Sequence, residues 1–253
     1  MTLKYRIGIM PGPWPAGREG AAFLWTLCDQ LERSDVDSIW LSDRLSSPVP
    51  VPEVMTTLAA IAARTTRLKF GPSVVVLPYR TPVVAAKEMA TVDWLSQGRL
   101  FPAVGVGVEL PREFEASGVA FAERGRLGDG WIPSFITPEE LRVGVQKVQD
   151  LAMAAGRQVP EDHFGTLINY AIADTEEAAL AMAQPYIPRG RVDEATMRQC
   201  TAFGPVDRLV DRVEEYVKAG ASKFILRPLC PPDRMLDQLA RMAERVCPEY
   251  HRR

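Results

Sequence analysis

The sequence predicts an α/β fold in which short buried strands alternate with helices. Three observations support this prediction. The run Leu100–Val106 is almost wholly apolar and short, as is typical of a strand that is buried on both faces of a parallel sheet. Segments with apolar residues at helical spacing lie between runs of this kind. The chain has 253 residues, which is close to the length of one domain built from eight strand–helix repeats, roughly 250 residues.

Composition and charge exclude several classes of protein. The chain is 47% hydrophobic and 25% charged, as is usual for globular proteins, and its net charge of −2 does not attract nucleic acid or an anionic membrane. No apolar run approaches the roughly 20 residues of a membrane span, and MTLKYRIGIM becomes a strand too early for a signal peptide. With two histidines, His163 and His251, a multi-histidine metal site is excluded. Four scattered cysteines without a C-x-x-C motif favour a cytoplasmic protein.

The first half of the chain predicts four strands and three long helices. The strands are Tyr5–Met10, Ser38–Ser42, Leu68–Leu77 and Leu100–Val106, and the helices are Glu19–Glu32, Glu53–Arg64 and one from Pro82 to Gln97. Pro82 suits the first turn of a helix, and Gly98 suits a left-handed C-cap. An apolar face of the third helix is predicted from Val83, Ala86, Ala90, Val92 and Leu95. Gly71-Pro72 predicts a break in the third strand, because proline cannot donate to a sheet.

The second half predicts three more strands and four helices. The strands are Asp129–Ile132, Thr166–Ala173 and Phe224–Leu229, and the helices begin at Thr137, Thr175, Pro205 and Met235. Thr137, Pro138 and Glu140 form a capping-box signature. A short acidic helix is predicted over Glu109–Ala116, and Pro185–Thr201 is predicted to be irregular.

Two glycines mark the end of the fourth strand. Gly105 and Gly107 follow the apolar run, and ligands of parallel α/β proteins bind at the carboxyl ends of strands. Glycine there allows the backbone to approach a planar ligand or a phosphate closely. This end of the sheet is therefore the predicted ligand site.

Several motifs resemble one known family. Leu95-Ser-Gln-Gly-Arg-Leu100 followed by Val104-Gly-Val-Gly107 resembles the bacterial luciferase-like family, whose members are flavin- or deazaflavin (F420)-dependent oxidoreductases on a TIM barrel. Similar segments follow in the family's order: Trp40–Asp43, Arg80–Pro82, Glu113–Val119, Gly128–Trp131, Phe203–Pro205 and Ala219–Ala221. The resemblance covers most of the chain and implies a single TIM-barrel-like domain over residues 1–253.

The sequence departs from the family after Gly125. A relative would continue through a helix, a strand and a second helix, whereas here Arg126-Leu127 leads directly to the Gly128-Asp-Gly-Trp131 motif. A strand, two helices and their loops amount to roughly 45 residues. The sequence therefore predicts an incomplete barrel with seven core strands, shortened by one β/α repeat near residues 125–127. By the resemblance, that repeat contains the turn that holds the cofactor phosphate.

Two carboxylates are the candidate catalytic residues. Asp43 ends the second strand, where a barrel carries its active-site groups, although it could instead be a solvated cap on the next loop. Glu109 lies just beyond Gly107 and could act as a general acid, or could belong to the first turn of the acidic helix. Arg44 stands where deazaflavin-using relatives often have histidine, and arginine cannot release a proton near neutral pH.

The predicted cofactor-binding residues come from the resemblance and from charge. Family members bend the third strand through an unusual peptide against the cofactor ring, and Ser73-Val74 is the matching place. With Gly105 and Gly107 this dipeptide would face the ring, with Asp43 at its polar edge and Trp14 or Trp131 nearby. Arg80 precedes a helix and Arg227 lies on the last strand, so both could hold an anion, or could be ordinary ion-pair residues.

Two functions remain open. The first is an oxidoreductase or monooxygenase that transfers hydride between a small organic substrate and F420 or FMN. The second is a non-catalytic, degenerate flavin-binding or scaffold protein of the same fold. A nucleic-acid-binding protein would need a basic patch that the sequence lacks. The predicted gap exposes unpaired strand edges, which favours a homodimer, and the missing phosphate turn predicts weak cofactor binding.

Overall fold

The structure is a computed structural model that describes residues 5–47, 49–105, 131–187 and 193–251. The chain divides into two compact units. The terminal unit consists of Met1–Gly12 and Asp129–Arg253, and the inner unit is Pro13–Gly128. Strands and helices alternate along both units, and the described strand pairs are parallel, which confirms the predicted α/β class. Within the described residues, no helix is both long enough and apolar enough to cross a membrane.

The elements are numbered in chain order. The first half contains β1 (Arg6–Ile9), α1 (Arg18–Arg33), β2 (Ser38–Leu41), α2 (Val54–Arg64), β3 (Lys69–Pro72), β4 (Val75–Val76), α3 (Pro82–Ser96) and β5 (Val104–Gly105). The second half contains α4 (Pro138–Ala154), β6 (Gly165–Ile172), α5 (Glu176–Ala183), α6 (Glu194–Cys200), β7 (Thr201–Gly204), α7 (Val206–Lys218), β8 (Lys223–Pro228) and α8 (Met235–His251).

The inner unit places two pairs of strands beside three helices. Strand β2 pairs with β3, and β4 pairs with β5. Helix α2 packs against α1, α3 and β3, and it buries Leu58 and Ile61 completely. The apolar side chains of α2 and β3 thus form the core that supports the carboxyl ends of β2, β4 and β5.

The terminal unit is a parallel sheet in the order β1-β8-β6-β7. Helix α8 packs against β1, β6 and β8, and α7 packs against β6, β7 and α8. Before β6 in the chain, Trp131 and Ser134 form isolated bridges to Phe164 and Leu167. Trp131 lies within the predicted strand Asp129–Ile132, and Ser134 lies two residues beyond it. The predicted gap before that strand falls within residues 106–130, outside the described residues.

The prediction for Pro185–Thr201 was wrong over its last part. Residues Glu194–Cys200 form α6 and lead directly into β7. Asp193 caps α6, because its carboxylate accepts a hydrogen bond from the amide of Thr196 at 2.7 Å. Helix α6 has only seven residues and β7 only four, so neither is long enough to show a clear hydrophobic period.

The third predicted strand is interrupted two residues later than expected. Strand β3 remains paired with β2 through Pro72, opposite Leu41, so it is not interrupted at Gly71-Pro72 itself, but the distortion predicted near that point is confirmed. Pro72 is tolerated because it is the last residue of β3. The interruption falls instead at the Ser73–Val74 peptide bond, which is cis.

The predicted apolar face of α3 was also wrong. Val83 and Leu95 are 78% and 53% exposed, whereas Ala85, Val92 and Ser96 are buried. Helix α3 has apolar residues of its own on all sides, so the spacing of these residues could not identify the buried face. At its end, Gln97 takes the left-handed conformation with φ 58°, and Gly98 follows with φ 83°. The predicted stop is confirmed, but it takes two residues with positive φ.

Candidate functional site

The carboxyl ends of β2, β4 and β5 meet around Asp43. This residue follows β2, and its Oδ2 atom accepts a hydrogen bond from the Val76 amide on β4 at 3.0 Å. Val76 is in turn the register partner of Gly105 on β5. A loop carboxylate and two strand ends thus form one continuous site. This is the end of the strands at which the sequence predicted a ligand.

Asp43 is buried and ion-paired. The side chains of Asp43 and Arg80 are 4% and 16% exposed. Arg80 Nη2 donates to Asp43 Oδ1 at 2.9 Å, and Arg80 Nε donates to Oδ2 at 3.3 Å. With the Val76 amide, three donors fix the orientation of the carboxylate. The alternative reading of Asp43 as a solvated cap on the loop was wrong.

Arg80 is surrounded by carboxylates. Besides Asp43, it contacts Glu53 at 2.9 Å and Glu88 at 3.7 Å. Burial acts to lower the pKa of Arg80, but the hydrogen bonds to Asp43 and Glu53 outweigh it, so the pKa is raised above its ordinary value. The predicted role of Arg80 in holding an anion stays a prediction. Three carboxylates already balance its charge, so its contacts are those of a positioning residue.

Glu53 links this ion pair to α2. Its side chain accepts hydrogen bonds from the amides of Met55 and Thr56 at 3.1 and 2.7 Å, which makes it the N-cap of α2. Desolvation acts to raise the pKa of Glu53, but hydrogen bonds from Thr56, Arg80 and Met55 outweigh it and lower the pKa to about 2. The sequence predicted a helix that begins at Glu53, but glutamate is not among the preferred caps, so this role was missed.

Ser73, Val74 and Gly105 form a half-exposed wall beside Asp43. The cis peptide joins Ser73 to Val74, at the place where the family resemblance predicted a bend. A Cβ atom on Gly105 would collide with the Val74 side chain. Gly105 is therefore required for Val74 to pack against β5. This contact joins the β3–β4 break to β5.

Two further candidates, Arg227 and Trp131, lie in the terminal unit. Arg227 is half-buried near the carboxyl end of β8, in register with Asn169 of β6. Trp131 pairs with the amino end of β6: its carbonyl accepts from the Gly165 amide at 3.1 Å, and its ring packs against Gly144 of α4. The structure thus gives Trp131 a packing role at the strand end opposite Arg227. The cofactor roles predicted for both residues stay predictions.

The structure brings together five of the predicted site residues in the inner unit. These are Asp43, Ser73, Val74, Arg80 and Gly105. Gly107 and Glu109, the second glycine and the second carboxylate, lie outside the described residues. Sequence reasoning missed Glu53 and the amide of Val76, which hold Arg80 and Asp43 in place.

The part of the chain that carries this site is similar to known proteins. Residues 5–126 match the family model described as luciferase-like monooxygenase, a stretch that contains Asp43, the Ser73–Val74 peptide and Gly105. Just under half of the chain is thus similar to the luciferase-like family. The match stops at the point where the sequence leaves the family's pattern, at Arg126. The resemblance inferred from the sequence motifs is therefore confirmed.

Two curated relatives illustrate the range of this family. Limonene 1,2-monooxygenase of Rhodococcus erythropolis is 34% identical over 107 residues, which is 40% of the chain and 27% of that relative. F420-dependent glucose-6-phosphate dehydrogenase of Amycolatopsis mediterranei is 27% identical over 202 residues, which is 75% of the chain and 56% of that relative. The matched stretch thus spans less than two thirds of each of these relatives.

Solved structures show the same fold at low sequence identity. The monooxygenase RslO1 from Streptomyces bottropensis superposes with a TM-score of 0.82 at 17% identity, over 97% of the chain and 99% of that protein. The oxygenating constituent of 3,6-diketocamphane monooxygenase from Pseudomonas putida, in complex with FMN, gives a TM-score of 0.75 at 13% identity, over 97% and 99%. These similarities confirm the predicted TIM-barrel-like fold class.

The residues around Asp43 suit a planar ring of the kind these relatives use. In the wall formed by Ser73, Val74 and Gly105, the Val74 side chain packs directly on the Gly105 backbone, where any Gly105 side chain would displace it. Asp43 stands at its edge with three donors already bound, and a carboxylate has about four acceptor positions. Asp43 could therefore still accept one hydrogen bond from a polar group of a ligand.

Proposed function

We propose that this protein is an oxidoreductase that transfers hydride between a small organic substrate and F420 or FMN. The observation that supports this most is the shared location of the break between β3 and β4 at Ser73–Val74, a Gly105 that must lack a side chain, and a buried Asp43. A bound flavin or deazaflavin supplies the hydride chemistry, and the protein supplies position and electrostatics.

In this proposal the inner unit holds and orients the ring. The wall formed by Ser73, Val74 and Gly105 provides the surface against which a ring packs, and Asp43 accepts a hydrogen bond from its polar edge. Arg80 is a positioning residue, because it reaches the site only through Asp43. Ion pairing and the Val76 amide keep the Asp43 carboxylate in one orientation, so that no reorganisation is needed when the ring binds.

The alternative function, a non-catalytic flavin-binding or scaffold protein, is favoured by the environment of Arg80. The contacts to Asp43, Glu53 and Glu88 leave this arginine poorly suited to replace the missing phosphate turn. Hydrogen bonds to a charged group contribute roughly 1.5–3 kcal/mol each, so losing two weakens binding by roughly two to four decades. We therefore expect weak binding of the cofactor. Reduction of the bound cofactor by a substrate distinguishes the two functions.

A titration with FMN and with F420 tests the proposal. The unmodified protein should bind one of them saturably, and Asp43→Asn should weaken that binding about tenfold, equivalent to about 1.4 kcal/mol. Glu88→Gln is the matched control: it removes a carboxylate that also faces Arg80 but does not contact Val76, and it should leave affinity within about twofold. Circular dichroism checks that both variants fold. Absence of saturable binding of either cofactor by the unmodified protein would contradict the proposal.

The proposal also concerns location and assembly. We infer a cytoplasmic protein, because Cys28, Cys200, Cys230 and Cys247 are all free thiols in the interior, and burial raises the pKa of Cys28 and Cys230 to about 12.

We infer a homodimer as well, because α3 exposes large apolar side chains that include Trp94, which is 77% exposed. A small-molecule substrate remains part of the proposal, without nucleic acid or membrane partners.

A further inference from the structure

Asn169, in the middle of β6, is buried without hydrogen bonds from its side chain. Its exposed fraction is 1%. Neither the oxygen nor the nitrogen of its carboxamide has a hydrogen-bond partner among the described residues. Buried polar side chains in folded proteins nearly always have a partner, so each exception requires a reason. A carboxamide can donate two hydrogen bonds and accept two, and all four positions are available here.

The strand alternation shows which face of the sheet Asn169 occupies. Its neighbour Tyr170 points to α8, where its hydroxyl lies 3.4 Å from the Gln238 carbonyl. Since successive side chains of a strand point to opposite faces, Asn169 lies on the face away from α8. Leu167 and Ala171 share that face and are buried, so the carboxamide has apolar neighbours along its own strand.

Asn169 also belongs to a polar row that crosses three strands. Its register partners are Thr201 on β7 and Arg227 on β8. Adjacent strands are about 4.8 Å apart, so the three side chains stand next to one another on the same face. The Thr201 hydroxyl lies 3.3 Å from the Met197 sulfur. Arg227 also interacts with another group of the protein. The carboxamide of Asn169 lies between these two polar groups.

A second buried amide in the same unit provides a comparison. Gln238 of α8 is 0% exposed, and both the oxygen and the nitrogen of its carboxamide are hydrogen-bonded to one residue of β6. Its Oε1 accepts from the Ile172 amide at 2.7 Å, and its Nε2 donates to the Ile172 carbonyl at 2.9 Å. Gln238 therefore has a structural task, to join α8 to the sheet. Among the described residues, the Asn169 carboxamide makes no comparable hydrogen bond, although it is buried to nearly the same degree.

We propose that Asn169 is a ligand-binding residue, and that its carboxamide pairs with a neutral ligand group that both donates and accepts a hydrogen bond. An imide or lactam edge has this chemistry, since an N–H and a C=O side by side match the two halves of a carboxamide. Hydroxyl groups of a substrate have it as well. For FMN or F420 as the source of the paired group, the inference rests on the proposed function. Arg227, next in the row, adds positive charge for an anionic part of the ligand.

The first experiment compares the two amides without any ligand. Thermal unfolding is followed by circular dichroism for the unmodified protein, Asn169→Leu and Gln238→Leu. Replacing an unpartnered buried amide by an apolar group of similar shape is neutral or stabilising, whereas removing a satisfied one leaves its partners unpaired. We expect Asn169→Leu to melt at or above the temperature of the unmodified protein, and Gln238→Leu to melt below it. If Asn169→Leu melts as low as Gln238→Leu, the residue is structural and the proposal is overturned.

The second experiment measures binding of FMN, F420 and glucose 6-phosphate, the last being the substrate in the name of one relative. Asn169→Leu should bind at least one probe about tenfold more weakly. A loss confined to FMN or F420 identifies the cofactor as the source of the paired group, and a loss confined to glucose 6-phosphate identifies the substrate. Asn169→Ala repeats the comparison with a smaller side chain.

Unchanged affinity of the Asn169 variants for every probe that the unmodified protein binds would overturn the inference. An unmodified protein that binds none of the three probes contradicts the proposed function instead. In that case the melting comparison alone decides whether Asn169 is a structural residue.

Discussion

At the scale of single residues, Arg99 shows that a family motif can be structural. It belongs to the Leu95–Leu100 motif, and all five of its N–H groups donate at 2.7–2.9 Å. The acceptors are the carbonyls of Ala62, Thr65, Leu68 and Ser96 and the hydroxyl of Thr65. Several of them are the last carbonyls of α2, which lack partners within the helix. The motif therefore joins the ends of α2 and α3 to the start of β3.

We expect Arg99→Lys to lower the free energy of unfolding by about 2–4 kcal/mol, because lysine keeps the charge but cannot satisfy five acceptors. Arg64→Lys is the control in the same unit. Arg64 forms a bidentate but exposed pair with Asp29, with side chains 49% and 36% exposed, and should change stability by about 0–1 kcal/mol. Urea unfolding measures both variants. Equal effects would show that the Arg99 contacts do not stabilise the fold.

The lowered pKa of Glu53 makes the free energy of unfolding depend on pH. Its pKa is about 2 in the folded protein and 4.5 ordinarily, because the ends of its carboxylate bind the Thr56 and Met55 amides and Arg80. A lowered pKa means that the stabilisation is complete above about pH 5 and is lost as the pH falls towards 2. Glu32 has the same lowered pKa of about 2, through the amides of Leu68, Thr66 and Arg67.

Glu53→Gln and Glu32→Gln should therefore each lower the unfolding midpoint at neutral pH. The difference from the unmodified protein should shrink as the pH falls from about 5 to about 2, where the native carboxylates become protonated. Urea midpoints measured across this range check both variants. A difference that stays constant with pH would show that the carboxylate charge is not what stabilises the protein.

At the scale of elements, the sequence predicted long helices and apolar strands better than short or special ones. The Thr137–Glu140 capping box is present, with the Glu140 carboxylate accepting from the Thr137 amide at 2.7 Å. Helix α7 was predicted to begin at Pro205, one residue before its first residue Val206, because its apolar residues recur with a clear helical period. By contrast, α6 and β7 are too short to show a period, and their packing on α5 and α7 decides their structure.

The candidate site was predictable only in part, for a related reason. The positions of Asp43, Ser73, Val74 and Gly105 follow from motifs, since each lies at or near a strand end. Which partners they take depends on contacts far apart in the chain, such as Asp43 with Arg80, 37 residues later. The sequence could therefore nominate Arg80 for an anion, but could not show that Asp43, Glu53 and Glu88 surround it.

The contact between β4 and β5 allows a test of the wall in the candidate site. Gly105→Ala places a Cβ against Val74 and should lower the unfolding free energy by about 1–3 kcal/mol. The double variant Val74→Ala with Gly105→Ala makes room for the new methyl group and should recover part of that loss. A double-mutant cycle by urea unfolding measures the coupling. Strictly additive losses would show that Val74 is not the reason for the glycine.

At the scale of the whole molecule, the exposed surface of α3 bears on assembly. Val83, Val84, Trp94 and Leu95 are 78%, 53%, 77% and 53% exposed. Val83 and Trp94 are eleven residues apart, which is about three helical turns, so they lie along one stripe of the helix, and Val84 and Leu95 lie along the adjacent stripe. Large apolar side chains exposed near both ends of a single helix, with Lys87 and Thr91 exposed between them, favour contact with a second copy.

We expect the unmodified protein to sediment at twice the chain mass at micromolar concentration, with α3 at the interface. Trp94→Glu should shift it to the monomer, because a charge buried in an apolar interface without a partner is strongly destabilising. Leu151→Glu is the control: Leu151, on α4, is 62% exposed, so the same charge is added to a comparable apolar position on another helix. A dimer that survives Trp94→Glu but dissociates with Leu151→Glu would place the interface on α4, and an unmodified protein that sediments as a monomer would contradict the assembly itself.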